Sequence, residues 1–339
     1  MIQTVTGPIE DSALGVTLAH EHMLIDLRCL YEPSRVSDGP DLGDARLGAV
    51  SRDLLQDEPY RCKDNLVLDD ESEALSELRD YRAAGGRSLI DLTVDGIGPN
   101  PVALRRLSEQ SGVQIVAGTG VYRGLAHPAW VQTASVEDLA RRFIEAVRFG
   151  MGESGVRAGV LGELGTSSPV LPEEVKVLRA AARAHFVTGV PINVHCALWR
   201  REGPRVLDIL QAEGVDLRRV AISHLDELLD YDYHCSLAVR GAWLSLDTFG
   251  SEFTFGEERE PTDDERVGHL LRLLRAGWAG QILLSQDVCT KLQLRRFGGK
   301  GYLHILTGIV PKLRDSGVGE ETIHELLVDN PRRYLTAGR

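Results

Sequence analysis

Cysteine is sparse and unpatterned in this chain: Cys29, Cys62, Cys196, Cys235 and Cys289 are five, an odd number at wide, irregular spacing. That excludes a disulfide framework and any Cys-x-x-Cys zinc site, and it points to a reducing compartment. No apolar run approaches the roughly 18 residues that span a bilayer. The opening Met1-Ile2-Gln3-Thr4-Val5 lacks the basic region and apolar core of a signal peptide. A cytoplasmic location is the expectation. Cations are outnumbered, with 38 Lys and Arg against 50 Asp and Glu for a net charge of −12. Nonspecific nucleic-acid binding and docking on an anionic membrane are argued against. Also missing are a Gly-rich dinucleotide turn, a linker and a strong internal repeat. The 339 residues are therefore read as one domain, with a short hairpin at about 2–14.

What the chain does contain is strand and helix in alternation. Strands are expected around Val16, then over 88–94, 114–119, 159–164, 191–195, 219–224, 242–246 and 281–285. Helices are expected over 69–84, 100–110, 135–149, 172–188, 203–213, 228–239, 262–276, 303–315 and 320–328. Ser135 followed by Asp138 reads as a capping box with a short acid. Such alternation means a parallel sheet. Eight units without a dinucleotide turn favour a closed α/β barrel of the (β/α)8 type. Residues 30–68 fit no element, and a loop that long has a function or covers something.

The strands end alike. His20 and His22 stand two apart, and alternate strand residues share a face. Later runs end in Gly162-Glu163, Val194-His195, Ser223-His224 and Ser285-Gln286-Asp287. In a parallel barrel these ends all open on one face, where active sites are built. Four imidazoles and two carboxylates are enough to hold two ions, zinc by default, with manganese or cobalt tolerated. Glu163 has two oxygens with which to bridge a pair. A hydroxide shared by two cations is a nucleophile at neutral pH, and Asp287 is placed to ligate and to accept its proton.

Each residue also has a plain structural reading. A single His at a strand end is more often hydrogen-bonded than metal-bound, Glu163 suits the start of a helix, and Asp287 suits a cap. His185, His234, His304 and His324 fall inside expected helices and are read as structural. Six residues of metal-ligand type at strand ends outweigh the separate readings. Tyr122, at the end of the third strand, is expected to line the pocket. Between Asp287 and Asp315 the chain has no acid but carries Lys291, Arg295 and Arg296, expected to bind an anionic end of the substrate.

Several of these segments resemble the phosphotriesterase family of the amidohydrolase superfamily, over essentially the whole chain. Thr6-Gly7-Pro8-Ile9 with Leu18-Ala19-His20-Glu21-His22 is similar to its N-terminal signature, and 158–167 to its bridging-ligand segment. Segments 189–195, 223–226 and 285–287 resemble the remaining ligand segments. The resemblance implies that His20, His22 and Asp287 hold a more buried metal, His195 and His224 a more exposed one, and that Glu163 bridges. It also implies a homodimer. Two departures matter. Phosphotriesterases and related lactonases bridge with a carboxylated lysine, but Lys176 lies well into the next helix and Glu163 stands at the strand end. Thr248 follows Asp247 where phosphotriesterases carry a histidine.

The first departure resembles the phosphotriesterase-homology and phosphotriesterase-related proteins, and the second argues against efficient organophosphate hydrolysis. Asp287-Val288-Cys289-Thr290-Lys291 with 298–307 resembles the phosphotriesterase-related ones especially. That subgroup is associated with amide hydrolysis of small N-acyl compounds. The expected activity is thus a binuclear zinc hydrolase of a small ester or amide. The alternatives are a lactonase or promiscuous phosphotriesterase, or a ligand-binding protein that keeps its metals without turnover.

Overall fold

A computed structural model describes residues 1–33 and 41–336 of the chain. Eight short apolar runs form the parallel strands β1 (Thr17–Glu21), β2 (Ser88–Asp91), β3 (Gln114–Thr119), β4 (Val160–Gly165), β5 (Ile192–His195), β6 (Val220–Ser223), β7 (Trp243–Leu246) and β8 (Ile282–Leu284). They lie side by side in chain order. At the seam, the Asp287 amide donates to the His20 carbonyl at 3.3 Å, and the His20 amide to Ser285 Oγ at 3.0 Å. The sheet curls on itself into the expected (β/α)8 barrel.

Helices α1 (Glu71–Ala83), α2 (Pro101–Ser111), α3 (Val136–Arg148), α4 (Pro172–Thr188), α5 (Gly203–Ala212), α6 (Tyr231–Val239) and α7 (Asp263–Arg275) follow β1 to β7 in turn. Five of these seven helices start at a side-chain cap: Asp70, Asn100, Ser135, Asp230 and Thr262. Ser135 and Asp138 form the expected capping box, and Thr262 with Glu265 forms another. After β8 the helical stretches expected at 303–315 and 320–328 contain π-helical turns, Ile305–Ile309 and Glu325–Asp329. The second runs on as Asn330–Thr336.

Side chains alternate between two apolar layers. Ala19, Ile90, Val116, Val160, Ala221 and Leu283 point into the barrel, whose lower end is closed by Ile2, Leu14, Tyr334 and Leu335. Leu18, Leu89, Ile115, Leu161, Val194, Ile222 and Leu284 face the helices. With both layers filled, the six candidate ligand side chains come together at the C-terminal end of the barrel.

The hairpin pairs Ile2–Thr4 with Gly7–Ile9. In the irregular segment, Val67–Leu68 pairs antiparallel with Ile25–Asp26, and Arg52–Gln56 is a short helix. Residues 34–40 of that segment lie outside the described residues. Leu42, Leu47, Leu55 and Cys62 bury against Phe253 and Leu292, from the loops after β7 and β8. The segment therefore covers part of the barrel's mouth. Among the described residues no helix is long and apolar enough to cross a membrane.

Candidate metal centre

Two irregular strands aim the first ligands. The β1–β2 register shifts between Leu18 and Glu21, and the β4–β5 register shifts between Leu161 and Leu164. A one-residue slip moves side chains to the other face of a sheet. Each shift falls beside a ligand candidate: His20 on β1 and Glu163 on β4 both turn to the barrel axis. At the second site the pressing partner is backbone. Gly162 has φ +140°, and a Cβ there would lie 2.3 Å from the Asn193 carbonyl. Gly162→Ala is expected to destabilise the fold by about 1–3 kcal/mol, the usual scale of overpacking. Urea unfolding reads this as a lower midpoint, and an unchanged midpoint would mean the strand is not so constrained.

His224 and Asp287 adopt left-handed backbone, φ +60° and +49°. Strain of this kind persists where the surroundings over-determine it. Glu21 holds the Asp287 turn in place. Buried between His20 and His22 in sequence, its carboxylate accepts from Ser285 Oγ at 2.7 Å, the Gln286 amide at 2.9 Å and the Val288 amide at 2.9 Å. Sequence reasoning passed over this residue, although a carboxylate flanked by two ligands was visible there.

The structure brings the six expected ligands together. His22 Nε2 lies 3.2 Å from Asp287 Oδ1 and 3.5 Å from Glu163 Oε1. His20 Nε2 is 3.6 Å from Glu163 Oε2 and 3.7 Å from Asp287 Oδ1. His195 Nδ1 stands 3.3 Å and His224 Nε2 3.6 Å from Glu163 Oε2. Glu163 thus faces all four rings. Three overlapping groups of these residues could hold a metal ion: His20, His22 and Glu163; His20, His224 and Asp287; Glu163, His195 and His224.

Outer partners fix three of the rings. His20 Nδ1 meets Asp247 Oδ2 at 3.0 Å and Ser223 Oγ at 3.1 Å; His224 Nδ1 meets Asp247 Oδ1 at 3.1 Å. His22 Nδ1 bonds Thr93 Oγ1 at 2.9 Å. A ring held at Nδ1 presents Nε2, the usual arrangement around a metal. Asp247 orients two rings at once and is the second residue sequence reasoning left out. It was noticed only as the residue before Thr248, whose amide donates to Asp226.

The charges are mutually dependent. Burial lowers the His20 pKa, but Asp247, Asp287 and Glu163 outweigh it and hold the ring up at about 9. His224 is raised in the same way, burial being overcome chiefly by Asp247. Burial would raise Glu163, yet His20, His195 and His224 hold it well below the usual carboxylate range. His195 goes the other way, down to about 4, because burial and the neighbouring His224 both disfavour its charge. Within this cluster His20 Nε2, Glu163 Oε2, His195 Nε2 and Asp287 Oδ1 are buried without a hydrogen-bond partner. Buried polar atoms are rarely left so. Borderline nitrogen donors with carboxylates are a donor set that suits divalent cations, zinc among them.

The remaining expectations divide. Tyr122 is buried, and its ring meets that of His195 edge-on at 5.1 Å. Lys291, Arg295 and Arg296 have no hydrogen bond or ion pair with the six. Lys291 Nζ pairs with Asp64 at 2.9 Å, Arg295 with Asp80, and Arg296 Nη1 with Glu73 at 3.1 Å. The Arg295 amide also donates to Glu77. The acid-free run after β8 is balanced by Asp64 and by acids of α1, pairings distant in sequence. The histidines read as structural have partners of their own: His185 bonds the Val190 carbonyl, His234 bonds His269, and His304 bonds Asp263.

Known proteins match this arrangement along the chain. The model of the phosphotriesterase family matches residues 1–335. An N-acetyltaurine hydrolase of Danio rerio is 36% identical over 346 residues, covering 99% of this chain and 97% of its own. The crystal structure of a resiniferatoxin-binding protein from Rhodobacter sphaeroides is similar at TM-score 0.97 and 39% identity, over 99% of this chain and 95% of that one. The phosphotriesterase homology protein of Escherichia coli, solved with phosphate in its active site, is similar at TM-score 0.81 and 30% identity, over 96% and 99%. With agreement from end to end in sequence and in fold, this chain belongs to the phosphotriesterase family.

Proposed function

We propose that this metal-dependent hydrolase holds two divalent ions, zinc by its donor set, and cleaves the amide of small N-acyl compounds that end in an anion. The observation that carries the reading is the set of buried donor atoms left without partners around Glu163. In this reading His20, His22 and Asp287 would hold one ion, His195 and His224 the other, with Glu163 shared between them. When bound, such ions lower the pKa of water toward neutrality and polarise a carbonyl.

The chain's own groups do the rest. Asp287 Oδ1 is buried while the side chain keeps 17% exposure, which leaves Oδ2 on the open side. Asp287 accepts the proton of the attacking water there and returns it to the amine nitrogen as the C–N bond breaks. Asp247 keeps His20 and His224 turned inward, and Tyr122 walls the pocket beside His195. The substrate class is supported by the relative named for N-acetyltaurine. The resemblance alone supports a homodimer, and the unpatterned cysteines a cytoplasmic setting.

Elemental analysis of metal-loaded protein is expected to find about two ions per chain. One ion or none would sink the binuclear reading. Incubation with N-acetyltaurine is expected to yield acetate and taurine. Turnover of lactones or phosphotriesters in its place would move the chain to the alternative activities. A second reading, binding without turnover, is favoured by the likeness to a resiniferatoxin-binding protein. Fully loaded protein that hydrolyses no amide, ester or lactone would establish it.

A further inference from the structure

A cation on the other side of the mouth is free of acids. Arg123 follows Tyr122 in the loop after β3 and has extended backbone, φ −64° and ψ 155°. Its main chain is pressed against the end of β4, where a Cβ on Gly165 would lie 2.1 Å from the Arg123 nitrogen. That contact sets Arg123 against Gly165, two residues along the strand from Glu163, and next to Tyr122 in sequence. Its Nε is buried and has no hydrogen-bond partner. Among the described residues it makes no ion pair, whereas Lys291, Arg295 and Arg296 all do. Its charge acts on His195, on Tyr122 and on Tyr60.

From Tyr60 the rim continues through rings. Tyr60 meets Phe255 at 4.9 Å, and Phe255 meets Trp199 at 5.4 Å. Trp199 stands in the loop after β5, in left-handed backbone at φ +54°. Its indole Nε1 is also buried without a partner. Two donors in loops at the barrel's mouth, after β3 and β5, are thus buried with no acceptor among the described residues, beside a cluster whose own acids face inward to imidazoles. A buried donor without an acceptor is costly unless a ligand supplies one. An oxyanion with several acceptor oxygens suits a guanidinium fork and an indole N–H together.

We propose that Arg123, assisted by the Trp199 indole N–H, binds the terminal sulfonate or carboxylate of the substrate and sets the preference for anionic N-acyl compounds. This rests on the amide-hydrolase reading above, and two measurements keep them apart. The first is calorimetric titration with ethanesulfonate, and with propionate to separate sulfonate from carboxylate. Arg123→Met is expected to weaken binding of the preferred anion by about 10- to 100-fold, the scale of a lost charge-assisted hydrogen bond. Arg123→Lys should recover part of it, since lysine keeps the charge but not the fork.

The second is the ratio of kcat/KM for N-acetyltaurine over that for the neutral N-acetylethanolamine. It is expected to fall about 10- to 100-fold in Arg123→Met, on the same grounds. Anion binding that depends on Arg123 without amide turnover would refute the activity and keep the subsite. A ratio and an affinity that stay within about threefold of the unaltered protein would overturn the subsite. So would a fall in both that appears in Arg296→Met and not in Arg123→Met. Equal loss on both substrates in Met and Lys variants alike would make Arg123 a structural residue, and the proposal fails there too.

Discussion

Asp287→Asn is expected to keep the fold and much of the bound metal while turnover falls by about 10²-fold or more, the usual scale for a lost general base. The asparagine still offers one oxygen toward His22, but its amide cannot take a proton. The left-handed backbone at this position is no obstacle to the exchange, because asparagine tolerates that region at least as well as aspartate. Glu21 would continue to clamp the flanking amides. Single-turnover and steady-state rates with N-acetyltaurine, alongside elemental analysis of the same samples, read the effect. A variant that stays fully metallated and nearly as active would remove Asp287 from the chemistry.

Glu163→Ala is expected to do more, removing at once the group that faces all four rings. Metal binding should fall to less than about one ion per chain, and activity by roughly 10³-fold or more. Metal-ion catalysis contributes several kcal/mol, and each 1.4 kcal/mol or so is tenfold in rate. Because a glutamate carries its own charge, reconstitution of the stripped native protein should not depend on bicarbonate. A bicarbonate requirement would mean that a carboxylated lysine bridges the ions.

The stripped protein should also betray the imidazole charge. His20 sits near pKa 9 in the fold against 6.5 when free, so its stabilising pairings are complete below about pH 6.5 and vanish as pH rises through 9. Chelated protein should therefore lose thermal stability between pH 7 and 9.5. Loaded protein, whose ligand rings are already unprotonated, should lose less, and parallel losses in both would show that the cluster is not the source.

How much was legible beforehand depended on sequence distance. Helix starts such as Ser135 with Asp138 are local devices, and they stand where propensity puts them. The eight strands could be read because burial on both faces makes each a short apolar run. The candidate ligands could be brought together on paper because every strand of a parallel barrel ends on one face, so position along the strand is also position in space. Even there, the simple alternation expected of His20 is altered by the register shift on β1. What composition could not supply was pairing between distant segments. Lys291, Arg295 and Arg296 form a basic run on paper, but α1 and the turn at Asp64 supply their acids from more than two hundred residues away.

The sequence by itself determined the architecture and the donor set, since strand period, helix period and ligand type are properties of neighbouring residues. Only the tertiary structure decided which charges are spent on each other and which remain available. Asp247 became an orienting group when β7 laid it between His20 and His224. Arg123 was set against the end of β4, and among the described residues no acid pairs with it. The physical reason is that pairing and desolvation depend on distance in space, and folding sets that distance with little regard to separation along the chain.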